Sequence, residues 1–133
     1  MSNAVESDEM SEAERRKRSK GVYEAVIRAV DFQSGHMQPP LAKQTSVIGT
    51  LHAAGYGSYS LEEAHRAITA SVANGDLVRT KDSDGTVRLG LADPEKLAEK
   101  IETNLSRVEE PRRDIIGLAN RQIQQLRSDD NDE

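Results

Sequence analysis

Residues 58–91 read SYSLEEAHRAITASVANGDLVRTKDSDGTVRLGL, and the pattern changes character twice within them. Leu61, Ala64, Ile68, Ser71 and Val72 recur at three- and four-residue spacing, one stripe of an amphipathic helix, and Ser60 stands where it can cap the first turn. Asn74-Gly75 supplies the stop, because glycine takes the left-handed conformation that closes a helix. Leu77, Val78, Arg79, Thr80 and Lys81, then Thr86, Val87, Arg88 and Leu89, alternate or are β-branched, and Asp82-Ser83-Asp84-Gly85 between them is a hairpin turn signal. The stretch predicts a helix, a tight turn and a two-stranded hairpin, in that order.

Upstream, Ser11-Glu12-Ala13-Glu14 matches a capping box, so a first helix is expected from about Glu12. It carries a basic head, Arg15-Arg16-Lys17-Arg18 and Lys20, and an apolar tail with helical spacing at Val22, Tyr23, Val26, Ile27 and Val30. Gln33-Ser34-Gly35-His36 breaks it, and Pro39-Pro40 delays any new helix until Leu41. A second helix then shows an inward face of Leu41, Gln44, Ile48, Leu51 and Ala54, ends at Gly55, and turns through Tyr56-Gly57-Ser58-Tyr59 into the third. Two helices joined by a short glycine-containing turn, followed by a hairpin, predict a mainly α winged helix-turn-helix with a two-stranded wing over residues 11–91.

Downstream, Asp93-Pro94-Glu95 is a strong helix start: a capping acid, proline in the first turn and a carboxylate facing the helix dipole. Leu97, Ile101, Leu105 and Val108 line one face, and after Pro111 the pattern resumes at Ile115, Leu118 or Ala119, Ile123 and Leu126. Residues 92–127 therefore read as a long C-terminal helix kinked near 111, or two helices joined at Glu110-Pro111. With seven acids and seven bases the segment is neutral. Its stripe is expected to pair with the same helix of a second chain, with Leu97, Ile101, Leu105, Val108, Ile115, Ala119 and Ile123 in the seam. The other arrangement is a fold back onto its own domain.

Composition narrows the function classes. The net charge of −5 is concentrated at the ends: residues 1–10 carry three acids and 128–133 carry four, which leaves 16 acids against 18 bases between them. Both ends read as disordered acidic tails. A single Phe and no Trp make for a thin core, which favours a homodimer. There is no Cys, which excludes disulfides, thiolate catalysis and cysteine redox sensing. No apolar run approaches the roughly 20 residues of a membrane span and no signal-peptide core is present, so a soluble, cytoplasmic protein is expected. His36, His52 and His65 lack ligand spacing, and neither a phosphate-cradling GxxxxGK[ST] nor a GxSxG nucleophile elbow occurs, so no metal, cofactor or enzymatic activity is expected.

The SLEEAHRAITASVANGDLVRT stretch, with the DSDG turn and TVRLGL behind it, resembles the recognition helix and wing of PadR-like and MarR-like winged-helix transcription regulators. The excess of acids over bases, the preference for Arg over Lys (12 to 6) and the C-terminal helical segment make the haloarchaeal members the most similar, among them a regulator responsive to reactive oxygen species. The resemblance covers about residues 20–127. It implies a homodimer on a pseudo-palindromic operator in double-stranded DNA, and points to an oxidative-stress response. Without Cys, such a response has to run through something bound reversibly rather than through a thiol.

On that reading, Ser58, Tyr59 and Ser60 at the entrance of the third helix, with Glu63, Arg66 and Thr69 on its open side, face the groove. Arg66 is the expected guanine contact, since Arg bonds guanine O6 and N7 together. Arg15, Arg16, Arg18 and Lys20 on the first helix, Lys43 and Thr45 near the second, and Lys81, Ser83 and Arg88 on the wing are expected at phosphates or the minor groove. Glu62 and Glu63 depart from the pattern of a DNA reader. They have to accept from cytosine N4, serve the helix dipole or hold cations at the DNA interface. Two other readings stay open: an architectural or replication DNA-binding protein with the same fold, and a winged helix used as a protein-interaction module, which the two glutamates favour.

Overall fold

The computed structural model describes residues 11–131. The expected disordered segment 1–10 lies outside them. Along the chain run α1 (Glu12–Phe32), β1 (Ala42–Lys43), α2 (Gln44–His52), a 3-10 turn (Ala54–Tyr56), α3 (Leu61–Ala73), β2 (Leu77–Lys81), β3 (Val87–Leu91), α4 (Pro94–Arg107) and α5 (Arg113–Asn131). The fold is mainly helical, with one small antiparallel sheet in the order β1-β3-β2, an arrangement consistent with a generic helix-plus-wing architecture.

Ser11 caps α1, its hydroxyl oxygen accepting from the Glu14 amide at 3.1 Å. The hydroxyl itself donates to the Glu14 carboxylate at 3.0 Å. Val22, Ala25, Val26, Ala29 and Val30 form the buried stripe of α1, with Tyr23 and Ile27 at its flanks. Around Ser60 the box is complete, and α3 starts at Leu61 as its spacing predicts. Gly75, at φ +80°, ends α3 and returns the chain into β2.

Three expectations are corrected, and one left open, the course of the chain at Pro111, is decided. The sheet has three strands, because Ala42 and Lys43 pair with Leu89 and Arg88, so α2 begins at Gln44 rather than Leu41. Leu61 does not join the inward stripe of α3: sitting at the first helical position, it is 63% exposed, while Ala64, Ala67, Ile68 and Ser71 are buried. The C-terminal segment is two helices. Pro111 has no amide to give a helix and disfavours helical geometry before it, so α4 ends at an extended Val108 and α5 starts afresh at Arg113. Finally, α5 continues to Asn131, so residues 128–131 of the expected disordered tail are helical. Residues 132–133 lie outside the description.

Two apolar clusters hold the chain. One joins α1, α2, α3 and the sheet around Val26, Val30, Val47, Leu51, Ile68, Leu77 and Leu89. The second joins Leu41 with Leu97 and Ile101 of α4 and Ile115, Ile116, Leu118, Ala119 and Ile123 of α5. Gly90 lets them meet: a Cβ there would fall 2.6 Å from Leu41 Cδ2 and 3.2 Å from Leu97 Cδ2, closer than packing allows. Polar bonds fasten α4 to the end of α1 and the loop after it. Lys100 Nζ lies 2.7 Å from Asp31 Oδ1, and Asn104 Nδ2 donates to the carbonyls of His36 (3.1 Å) and Gln38 (2.8 Å).

The fold-back arrangement of 92–127 is therefore the one the structure adopts. Five residues expected in a dimer seam, Leu97, Ile101, Ile115, Ala119 and Ile123, are buried within this one chain. Leu105 is 43% exposed and Val108 half-buried. Among the described residues no helix is long and apolar enough to cross a membrane.

Candidate nucleic-acid interface

The inner face of α3 is fixed by Ala64, Ala67, Ile68 and Ser71, which leaves Leu61, Glu62, His65, Arg66, Thr69, Ala70 and Ala73 along its open outer face. Of the residues expected to face DNA, Arg66 and Thr69 lie on this face. Arg66 Nη2 donates to Glu62 Oε1 at 2.7 Å, an i,i+4 pair with both side chains largely in solvent. Exposed pairs of this kind contribute little to stability, so Arg66 can exchange its carboxylate for another acceptor at small cost. The apolar stripe does not point to His65, Ala70 and Ala73; counting threes and fours from Glu62 finds all three.

Glu63 is not part of that open face. Its backbone amide donates to Ser60 Oγ and its carboxylate accepts from the Ser60 amide, at 3.1 and 3.0 Å. The same carboxylate takes two bonds from Arg18, Nε at 2.5 Å and Nη2 at 3.0 Å. The Arg18 hydrogen bond, followed by those of Ser60, holds the Glu63 carboxyl at about 2, against the opposing pull of burial. Arg18 in turn lies 4.9 Å over the centroid of the Tyr59 ring. The ring packs so close to α1 that a Cβ on Gly21 would fall 2.8 Å from its hydroxyl. Tyr59, Ser60, Glu63 and Arg18 are thus a structural joint between the basic head of α1 and the start of α3. These four residues, expected at DNA, are here engaged with one another: Glu63 caps α3 and pairs with Arg18, while Glu62 pairs with Arg66.

Elsewhere, Arg16 pairs with Glu12 at 2.9 Å on the exposed face of α1, and Lys20 makes no ion pair among the described residues. Arg15 is exposed and already engaged. Lys43 and Thr45 are exposed at the start of α2, Ser58 in the turn before α3, and Lys81 and Ser83 at the hairpin end.

Arg88 is the clearest correction. Its side chain is buried, with Nε donating to Asp82 Oδ2 at 2.8 Å and Nη1 to the Leu41 carbonyl at 2.8 Å. Asp82 Oδ1 accepts from the amides of Asp84 and Thr86. The Arg88 bond, with those amides, holds the Asp82 carboxyl below its ordinary range. Arg88 braces the hairpin turn against β1 and cannot reach a phosphate.

Comparison of the chain with models of protein families, with curated proteins and with solved structures found no match.

Proposed function

We propose that this chain is a sequence-specific, DNA-binding transcription regulator of the winged helix-turn-helix class, acting in the cytoplasm as a homodimer on a pseudo-palindromic operator, and that it binds rather than catalyses. The observation that carries this reading is the outer face of α3. It stands uncovered along its length, presents Arg66 and Thr69, and belongs to a helix whose entrance is held rigidly by Arg18 and Glu63. A helix so placed fits a major groove, with the hairpin beside it and exposed Lys20, Lys43 and Lys81 available for phosphates.

The dimer seam moves with the fold. The exposed large apolar side chains outside α3 among the described residues are Phe32 at the end of α1, Met37 in the loop after it and Leu105 on α4, and the seam is sought among them. Phe32 is 76% and Met37 70% exposed, and a second copy is the occupant that fits a two-fold operator. The resemblance to haloarchaeal regulators adds an oxidative-stress response, and the exposed Glu62 carboxylate adds a place for cations at the DNA interface.

A second reading, a protein-interaction module, is favoured by exposed Leu61 with Ala70 and Ala73, which add apolar surface to the outer face of α3. Selection of duplexes from a random pool, followed by anisotropy on the selected and scrambled sequences across a salt series, separates the two. Specific binding with affinity falling steeply in salt is expected. No duplex binding at low salt leaves the interaction module in its place.

A further inference from the structure

Between the hairpin end and α5 lies a cavity of about 310 Å³ lined by Lys81, Asp82, Ser83, Asp114, Leu118 and a helical stripe of Arg113, Gly117 and Arg121. Its carboxylates are already satisfied. Asp82 is bonded on both oxygens by Arg88 and by the Asp84 and Thr86 amides. Asp114 receives Arg112 Nε at 3.0 Å and Nη2 at 2.8 Å, and this pair holds its carboxyl at about 2. Its cations are not: Lys81, Arg113 and Arg121 make no ion pair among the described residues and are exposed. Two neutralised acids and three unspent cations leave the cavity positive.

Gly117 points the same way. Glycine inside a helix weakens it relative to alanine, so packing or function has to account for the residue. Packing does not: among the described residues, and apart from its own stretch of helix, a Cβ placed there meets nothing nearer than Arg121 Nη1, at 4.0 Å. The glycine instead opens the cavity floor between Arg113 and Arg121, one helical turn to either side. Planar guanidinium groups match the oxygens of a phosphate, and Ser83 adds a hydroxyl donor.

We propose that this cleft is a phosphate-binding site, with Arg113 and Arg121 as its principal ligands, Lys81 as a supporting charge and Gly117 as its floor. On the reading of the chain as a DNA-binding protein, on which this assignment rests, the occupant is a backbone phosphate beside the groove entered by α3, because Lys81 and Ser83 belong to the hairpin. The C-terminal helix pair then has a share in DNA binding that its neutral overall charge conceals.

The test uses the full chain with two variants, the double change Arg113→Gln with Arg121→Gln, and Gly117→Gln. The second fills the floor without changing charge, at an open site where a better helix former is tolerated. In one arm, inorganic phosphate is titrated at constant ionic strength and the Gly117 amide and arginine Nε signals are followed by NMR. A saturable shift in the wild type that is absent from the double variant is expected. In the other arm, duplex binding is measured against salt. Both variants should weaken selected and scrambled duplexes alike, about tenfold or more at low salt, and the double variant should lower the salt slope by about 1 to 2. Saturable phosphate binding without duplex binding by the wild type keeps the cleft but makes its ligand a free phosphate, and removes the DNA reading. No phosphate shift, with salt slopes unchanged in a wild type that does bind duplex, overturns the cleft and leaves the DNA reading standing.

Discussion

Arg18 reaches across 45 positions of sequence to hold Glu63 with two guanidinium nitrogens, at 2.5 and 3.0 Å, so the first turn of α3 is fixed from the outside by the helix that begins the fold. The contact spends one of the five cations in the head of α1 on structure. It also occupies one of the two carboxylates at the start of α3, and the face left for a partner is closer to neutral than the sequence alone implies.

This pair has a pH signature. The Glu63 carboxyl, ordinarily near 4.5, is held at about 2 in the folded chain. A depressed folded value contributes stability that is complete above the unfolded value and is lost as pH falls toward the folded one. Stability should therefore decline between about pH 5 and pH 2. In Arg18→Gln the Glu63 titration, followed by carboxyl NMR, should return toward 4.5 and part of the acid sensitivity should vanish. A wild-type Glu63 that titrates near 4.5 would show that the two groups are not paired in solution.

Arg88 and Asp82 should behave as a buried pair whose halves cannot be removed singly. Arg88→Met leaves a carboxylate without its cation and the Leu41 carbonyl without its donor. Thermal unfolding should come about 10 °C or more below the wild type. Arg79→Met, on an exposed position of β2, should change little. Equal melting of the two variants would contradict the bracing role.

How far these features can be read in sequence depends on how local their causes are. The caps at Ser11, Ser60 and Asp93, the stop at Gly75 and the 82–85 turn lie within a few residues of what they control, and each stands where the pattern places it. Strand β1 has only two residues and no period; it exists because β3, more than forty positions on, offers it an edge. Arg88 looks like any hairpin cation until Leu41 and Asp82 are brought around it. In the same way, the periodicity of Leu97, Ile101, Ile115 and Ile123 marks a face to be buried but carries no information on what covers it. Pro111 decides that, by letting α5 fold back where a continuous helix would have needed a second chain. At the candidate interface, spacing located Arg66 and Thr69, whereas the loss of Arg18 and Glu63 to each other depends on the packing of α1 against α3.

Arg66 remains the expected reader of a base. Its pair with Glu62 is exposed and exchangeable, and a guanine offers two acceptors in place of one carboxylate. Arg66→Ala should cost roughly 1 to 3 kcal/mol on the selected duplex and relax one position of the site, with scrambled duplex much less affected. Unchanged specificity in a repeated selection would remove Arg66 from the contact.

The last prediction separates the core from the seam. Ile115 is fully buried between α4 and α5, so Ile115→Asp places an unpaired carboxylate in the second cluster, and the helix pair should come apart whatever the oligomeric state. Leu105 is 43% exposed on one chain, and aspartate there meets solvent unless a partner covers it. If α4 and the loop around Met37 form the seam between two copies, Leu105→Asp should leave circular dichroism and single-chain folding intact while shifting light scattering from dimer toward monomer. Phe32→Ser should act in the same direction if the exposed Phe32 ring belongs to that seam. A Leu105→Asp protein that stays dimeric and folded would place the contact between copies on another surface; one that unfolds like Ile115→Asp would mean that Leu105 is part of the core after all.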